Sequence, residues 1–362
     1  VREWLTAHGS GVLTGIEAVG RWGSGTGDLV ALALASSDGA AAYLDVTGLS
    51  PDDDAALAAW LADPSHPKAV HDAKGPLLAI WARGWDLAGL VSDTQVAAYL
   101  LRPDQRTYDL GDLALRHLKR ELRAEVGGPA ADPDDQLMLD FGDQPEDSGE
   151  VAQAAMLRAR AVIDLAEALA VELENQGGTL LVRDVELPLL RTLATMERTG
   201  IAVDGDLLEQ LWRGFDDRVS SAAAAAYEVI GKQINLGSPK QLQVVLFDEL
   251  HMPKTRKLKS GYTTDADALE GLYAKTGHPF LAHLLEHRDA IRLRQTVEGL
   301  QKSVADDGRV HTTYVQTIAA TGRLSSTDPN LQNIPVRTEA GRRIREAFVV
   351  GKGYETLITA DY

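Results

Sequence analysis

The chain has 362 residues, 44% of them hydrophobic, with 53 acidic side chains against 36 basic ones and no cysteine. That length accommodates two or three domains with sizeable cores, and the missing thiols exclude disulfides and thiolate-bound zinc. The net charge of −17 would disfavour an anionic partner, but residues 1–176 carry −16 of it, residues 177–362 carry −1 and residues 251–362 carry +3; local patches, not totals, steer association.

Residues 1–120 read as α/β. The apolar runs GVLTGIEAV, LVALALA and AAAYLDV predict three strands. Helical patterns follow in DDDAALAAWLA, GPLLAIWARG, DTQVAAYLL and DLGDLALRHL, with the short runs KAV and DLAGLV between them. This order predicts a mixed sheet covered by helices. Residues 124–149, rich in Pro, Gly and acid, predict a surface loop or linker.

From about residue 150 strong helix formers predict a long helix, stopped by Gly177 and Gly178. A second helix is expected from about 180 to RTGI, and two more over roughly 204–231 and 278–304. Between these, SPKQLQVVLFDEL offers Ser238 as a cap, Pro239 for the first turn and an apolar stripe of Leu242, Val245, Leu246 and Leu250. RVHTTYVQTI and YETLITADY read as strands. No apolar run reaches 18 residues, so no membrane-spanning helix is expected. No secretory signal is visible, and a reducing, cytoplasmic setting is expected.

Three stretches carry candidate chemistry. HMPKTRKLKSGYTT places Lys254, Arg256, Lys257 and Lys259 in a turn-rich run without acid, able to grip phosphates or simply to be solvated. In the helix 278–304, Arg288, Arg292 and Gln295 share one face, either toward a nucleic-acid backbone or toward solvent with pairs to Asp289 and Glu298. TGRLSSTDPNLQNIPVR has neither helical nor strand period. Its Arg323, Asn330, Gln332 and Asn333 suit minor-groove base edges and sugars, and Ser325 and Ser326 suit phosphates. Pro329 and Pro335 stiffen it. Asp361 ends an apolar run, where a carboxylate can ligate Mg²⁺ or merely cap a turn.

TGRLSSTDPNLQNIPVRTEAGRRIREAF followed by LITADY closely resembles the palm entry of family A DNA polymerases, the bacterial DNA polymerase I group. LLRTLATMERTGIAVD, NLGSPKQLQVVLFDELHMP, SGYTTDADALEGL and LLEHRDAIRLRQTVEGL resemble that family's approach to the thumb, its thumb tip and its long thumb helix. The resemblance is strong over about 180–362 and looser over 1–176. It implies an α/β exonuclease-like domain with an RNase H-like mixed sheet over 1–176. A mainly helical thumb would follow over 177–308, and the start of an α+β palm over 309–362.

By the same resemblance, Lys254, Arg256, Lys257, Lys259, Arg288 and Arg292 would hold duplex DNA. Arg323 would contact the primer-end base pair or its sugar, Asn330, Gln332 and Asn333 the template strand or minor groove, and Ser325 would also bind DNA. Asp361 would bind two Mg²⁺ ions for nucleotidyl transfer from dNTPs onto a primer–template. A monomer with no membrane partner is expected.

The resemblance also places the fingers helix and second catalytic carboxylate after Tyr362. The 362 residues alone are therefore expected not to polymerise. The nuclease-like domain is expected to be inactive. The family's first-strand Asp-x-Glu pair falls on Gly15 and Glu17, its second-motif aspartate near Pro76, and its third-motif Tyr and Asp near Met156 and Val162. Glu17 would be vestigial, with Asp72 and Asp164 as possible stand-ins. The alternatives are a 3′–5′ exonuclease and a non-catalytic primer–template-binding module.

Overall fold

The computed structural model describes residues 1–122, 148–259 and 261–360. Most of the predicted acidic loop 124–149, and both Asp361 and Tyr362, lie outside them. The chain divides into two compact units: Val1–Gly200 with His311–Asn330, and Ile201–Val310 with Leu331–Tyr362. These units cut across the boundaries drawn from sequence, because residues 177–200 and 311–330 pack with the α/β sheet.

In the first unit five strands form one sheet: β1 (Thr14–Gly23), β2 (Thr26–Ser36), β3 (Ala41–Asp45), β4 (Lys68–Val70) and β5 (Leu90–Asp93), in the order β3-β2-β1-β4-β5. β1 pairs antiparallel with β2, β2 antiparallel with β3, and β4 parallel with both β1 and β5. The mixed sheet is therefore the one the run order implied. Its helices are α1 (Arg2–His8), α2 (Pro51–Ala62), α3 (Lys74–Ala82), α4 (Thr94–Leu101), α5 (Ser148–Gln176) and α6 (Leu187–Thr199). Caps set several starts. Ser50 accepts from Asp53 N before Pro51, and Asp93 accepts from Gln95 N and Val96 N. The end of α5 is set at Gly177, whose φ of 73° only glycine adopts readily.

Alternation along β2 sorts its two faces. Leu32 and Leu34 enter the main core with Ile16, Leu57, Leu61 and Val70. Ala31, Ala33 and Ala35 face the other way, onto Ala155, Ala159 and Ile163 of α5. Small side chains on both surfaces let the helix come close to the sheet.

A buried lysine sits on β4, between β1 and β5. Lys68 on β4 is fully buried, and its ammonium donates to the carbonyls of Asp63, His66 and Ala88, each at 2.9 Å, beside the Trp60 ring. Burial pushes its pKa down to about 8. Lys68→Met should cost about 2–3 kcal/mol in a urea melt, because three carbonyls lose their donor at once. An unchanged midpoint would show that water replaces the ammonium there.

The second unit is built on α7 (Gly205–Ile230) and α9 (Pro279–Lys302), with α8 (Ala266–Thr276) and α10 (Glu339–Glu346) packed against them. One core joins Leu208, Leu211 and Phe215 to Leu293, Val297, Leu300, Ile334 and Ile344. Another gathers Leu242, Val245, Leu246, Leu269, Leu272 and Phe280. Ser238 caps the helix Pro239–Gln243, as its position predicted.

Two strand expectations fail. RVHTTYVQTI is two strands, not one: Arg309–Val310 pairs with Ile201–Ala202, and Thr313–Val315 pairs with Ser325–Thr327. His311 and Thr312 between them are buried and committed to side-chain hydrogen bonds. Residues 354–360 form no strand; they are irregular and exposed, Ile358 by 86%. A strand exists through a partner's backbone groups, and among the described residues none pairs with this segment.

Candidate nucleic-acid interface and the nuclease-like sheet

Gly15, Glu17 and Val19 alternate along β1 and pair with Ala35, Ala33 and Ala31 of β2. They therefore share the face covered by α5. A Cβ on Gly15 would lie 2.2 Å from the Ala159 carbonyl oxygen and 2.7 Å from Ile163 Cγ1. Helix backbone thus occupies the space an aspartate would need. Glu17 survives as a carboxylate but is paired with Arg158, whose Nε donates to its Oε1 at 2.5 Å. Burial pushes the Glu17 carboxyl above its ordinary range, and the Arg158 guanidinium pulls it back.

The possible stand-ins do not converge. Asp164 is bound by Arg160 at 3.2 Å and by Arg120. Asp72 is exposed at the end of β4. Burial, with Arg158 adding, pushes the pKa of nearby His71 down to about 4, so it stays neutral. Among the described residues no group of three or more His, Asp or Glu could hold a metal ion. On β1 one carboxylate remains, Glu17, and the Arg158 guanidinium already neutralises it, so this strand does not fit a divalent cation. Sequence reasoning missed Arg158. The residue is legible in LRARAV, but its partner lies 141 residues away.

In the second unit the basic run 254–259 is anchored, not free. Lys257–Leu258 pairs with Gly261–Tyr262. Gln243 Oε1 accepts from Tyr262 N at 3.0 Å, and Thr255 Oγ1 donates to the Thr263 carbonyl at 2.6 Å. Lys254 lies over the Tyr262 ring, 5.0 Å from its centroid. Lys254, Arg256, Lys257 and Lys259 all remain exposed, so the ribbon presents four cations on a fixed base.

The helix row divides. Arg288 is half-buried and donates to the Thr264 carbonyl, bracing the end of that ribbon. Burial pushes its pKa down from the usual guanidinium range. Arg292 is exposed and paired with Asp289 at 2.9 Å, and Gln295 is exposed beside it. Leu331 and Ile334 pack into the second unit's core, which leaves Gln332 and Asn333 exposed on the short turn Leu331–Asn333. One patch was missed. In α10, Gly341 and Ile344 are buried while Arg342, Arg343 and Arg345 are exposed. The signal was present in GRRIRE as a helical alternation of buried and basic positions.

In the first unit, Arg323 is exposed in the loop 316–324 of the hairpin Thr313–Val315/Ser325–Thr327. Ser325 is half-buried and Asn330 exposed. Ser326 departs from expectation. It is buried, with its hydroxyl 2.7 Å from Thr312 Oγ1 and 3.2 Å from the Pro329 carbonyl, and so is turned away from any phosphate. Asp361 lies outside the described residues.

Residues 205–362 match DNA polymerase family A, and residues 26–126 match the ribonuclease H-like domain of DNA polymerase I. The chain is 60% identical over 363 residues to DNA polymerase I of Mycobacterium bovis, covering all of this chain and 39% of that protein. It is 37% identical over 338 residues to DNA polymerase I of Geobacillus stearothermophilus, covering 92% of this chain and 37% of that protein. The solved POL domain of Pol1 from M. smegmatis, in complex with DNA primer-template and dNTP, superposes with a TM-score of 0.88 at 56% identity. That match covers 98% of this chain and 58% of the other. The chain thus spans about two fifths of the curated relatives it matches.

Proposed function

The chain belongs to DNA polymerase family A, whose domain it carries beside the RNase H-like domain of DNA polymerase I, and we propose from this premise that the protein is a DNA-templated DNA polymerase of replication and repair. The observation that carries the reading is the match to a polymerase domain solved with primer-template and dNTP, which covers nearly the whole chain. In this reading residues 1–176 are the nuclease-like domain, 177–308 the thumb and 309–362 the start of the palm.

The partners are primer–template DNA and dNTPs, and the protein works as a monomer in the cytoplasm. No helix among the described residues is long and apolar enough to cross a membrane. The exposed ribbon cations Lys254, Arg256, Lys257 and Lys259 neutralise phosphates without reading sequence. Arg323 addresses the primer-end pair, and Asn330, Gln332 and Asn333 address minor-groove acceptors that lie in similar places in every correct pair. Asp361 is the residue that would hold Mg²⁺, which supplies charge neutralisation at the triphosphate.

The nuclease-like domain does not proofread. The support is local: the aspartate position is a glycine under a helix, and Glu17 is neutralised by Arg158.

The test is primer extension in Mg²⁺ by the full-length protein, in which Asp361→Ala should lower turnover at least about 10³-fold. Absence of template-dependent extension by the unaltered full-length protein would overturn the reading. Replacing the four ribbon cations by alanine should flatten the dependence of log affinity on log salt, by about 0.9 for each phosphate that is no longer neutralised. Fluorescence anisotropy across a salt series reads that slope, and an unchanged slope would remove the ribbon from the interface.

A further inference from the structure

The hairpin loop 316–324 that carries Arg323 is tethered from outside its own sequence neighbourhood. Tyr99, buried on α4, donates its hydroxyl to the Ala319 carbonyl at 2.6 Å. Gln316 Nε2 donates to Glu186 Oε2 at 2.8 Å, just ahead of α6. Thr317 Oγ1 makes a longer contact of 3.5 Å with Gln95 Oε1, one turn before Tyr99 on the same helix. At the base of the hairpin, Tyr314 N donates to Glu197 Oε1 at 2.7 Å, and the His311 ring meets the Glu197 carbonyl oxygen at 2.7 Å. Every one of these partners belongs to the compact unit built on the nuclease-like sheet.

We propose that the compact unit built on the nuclease-like sheet acts as the footing of the primer-end loop, with Tyr99 and Glu186 as positioning residues that hold Arg323 in register for the primer terminus. This rests on the reading of Arg323 as a primer-end contact. A domain whose own metal site is closed would thereby serve the polymerase reaction through its surface. The physical reason is entropic. An exposed arginine on an irregular loop loses little freedom on binding only if the loop is already held, and each tether removes backbone freedom beforehand.

The experiment compares two DNA probes on the 362-residue chain by fluorescence anisotropy: a duplex with one recessed 3′ primer end, and a closed dumbbell duplex with no end. Tyr99→Phe removes one hydroxyl without changing the core volume. It should weaken binding to the recessed end about fivefold, the worth of one hydrogen bond, and leave dumbbell binding within about twofold. Hydrogen exchange at residues 316–324 should accelerate by a similar factor. Glu186→Leu should behave the same way, whereas Glu186→Gln, which keeps an acceptor for Gln316, should restore the recessed-end affinity.

Unchanged binding by Tyr99→Phe, or an equal loss on both probes, would overturn the proposal. Arg323→Ala separates the two levels. If it loses the recessed-end preference while Tyr99→Phe keeps it, the primer-end reading stands and the footing falls. If Arg323→Ala itself keeps the preference, both fall.

Discussion

Gly15→Asp is expected to destabilise the first compact unit by at least about 3 kcal/mol and to restore no nuclease activity. The position pairs with Ala35 and lies under α5, where a Cβ would sit 2.2 Å from a backbone oxygen. A flexible side chain could swing away from such a contact, but the Ala159 carbonyl is fixed within a helix turn. To admit the residue, α5 must lift off the Ala31–Ala33–Ala35 face, losing the packing of Ala155, Ala159 and Ile163. The aspartate would also bring a second carboxylate beside Glu17, into a site where burial already disfavours charge.

Urea denaturation of Gly15→Asp and Gly15→Ala separates these effects. Both should lose stability through the Cβ, with the aspartate losing more. Single-stranded DNA with Mg²⁺ should remain intact in either variant. A Gly15→Asp chain as stable as the parent that degrades DNA would show that the helix yields and that one carboxylate was all the site lacked.

Lys74→Met should be comparably damaging, at about 3–5 kcal/mol, because it strands a buried carboxylate. Lys74 Nζ donates to Glu197 Oε1 at 2.6 Å, with Glu197 only 1% exposed. The same oxygen accepts from Tyr314 N, so the pair joins α3, α6 and the hairpin that carries Arg323. Removing the lysine leaves Glu197 with a backbone donor but no counter-charge. The double variant Lys74→Met/Glu197→Gln should recover at least half of the loss, since the amide oxygen still accepts from Tyr314 N and no charge remains. A denaturation cycle over the four proteins measures the coupling. If the double variant is no more stable than Lys74→Met, the cost lies in the lysine's apolar stem and not in the stranded charge.

Much of the frame was legible without coordinates. Leu32 and Leu34 alternating with Ala31, Ala33 and Ala35 specify a strand with two different faces. Ser238 before Pro239 and Gly177 after a long apolar helix specify ends, because capping and left-handed backbone are decided within a few residues. The motif around Arg323 was legible as chemistry and, through its resemblance, as a polymerase palm entry. The basic run 254–259 was legible as charge. Its footing on Gln243 and Tyr262 was not.

What sequence alone determined about this protein is thus its local order: where chain direction changes, which faces are apolar and where cations collect. What tertiary structure alone decided is every long-range pairing. Arg158 closes on Glu17 from 141 residues away, Lys74 on Glu197 from 123, and Tyr99 on the Ala319 carbonyl from 220. Nothing in those short stretches marks the partner, since a hydrogen bond or an ion pair needs only a suitable group at about 3 Å and any exposed Asp, Glu or carbonyl could supply one. The same reason explains the failed strand at 354–360. A β-rich run states a preference, and a strand forms only where the fold brings another backbone beside it.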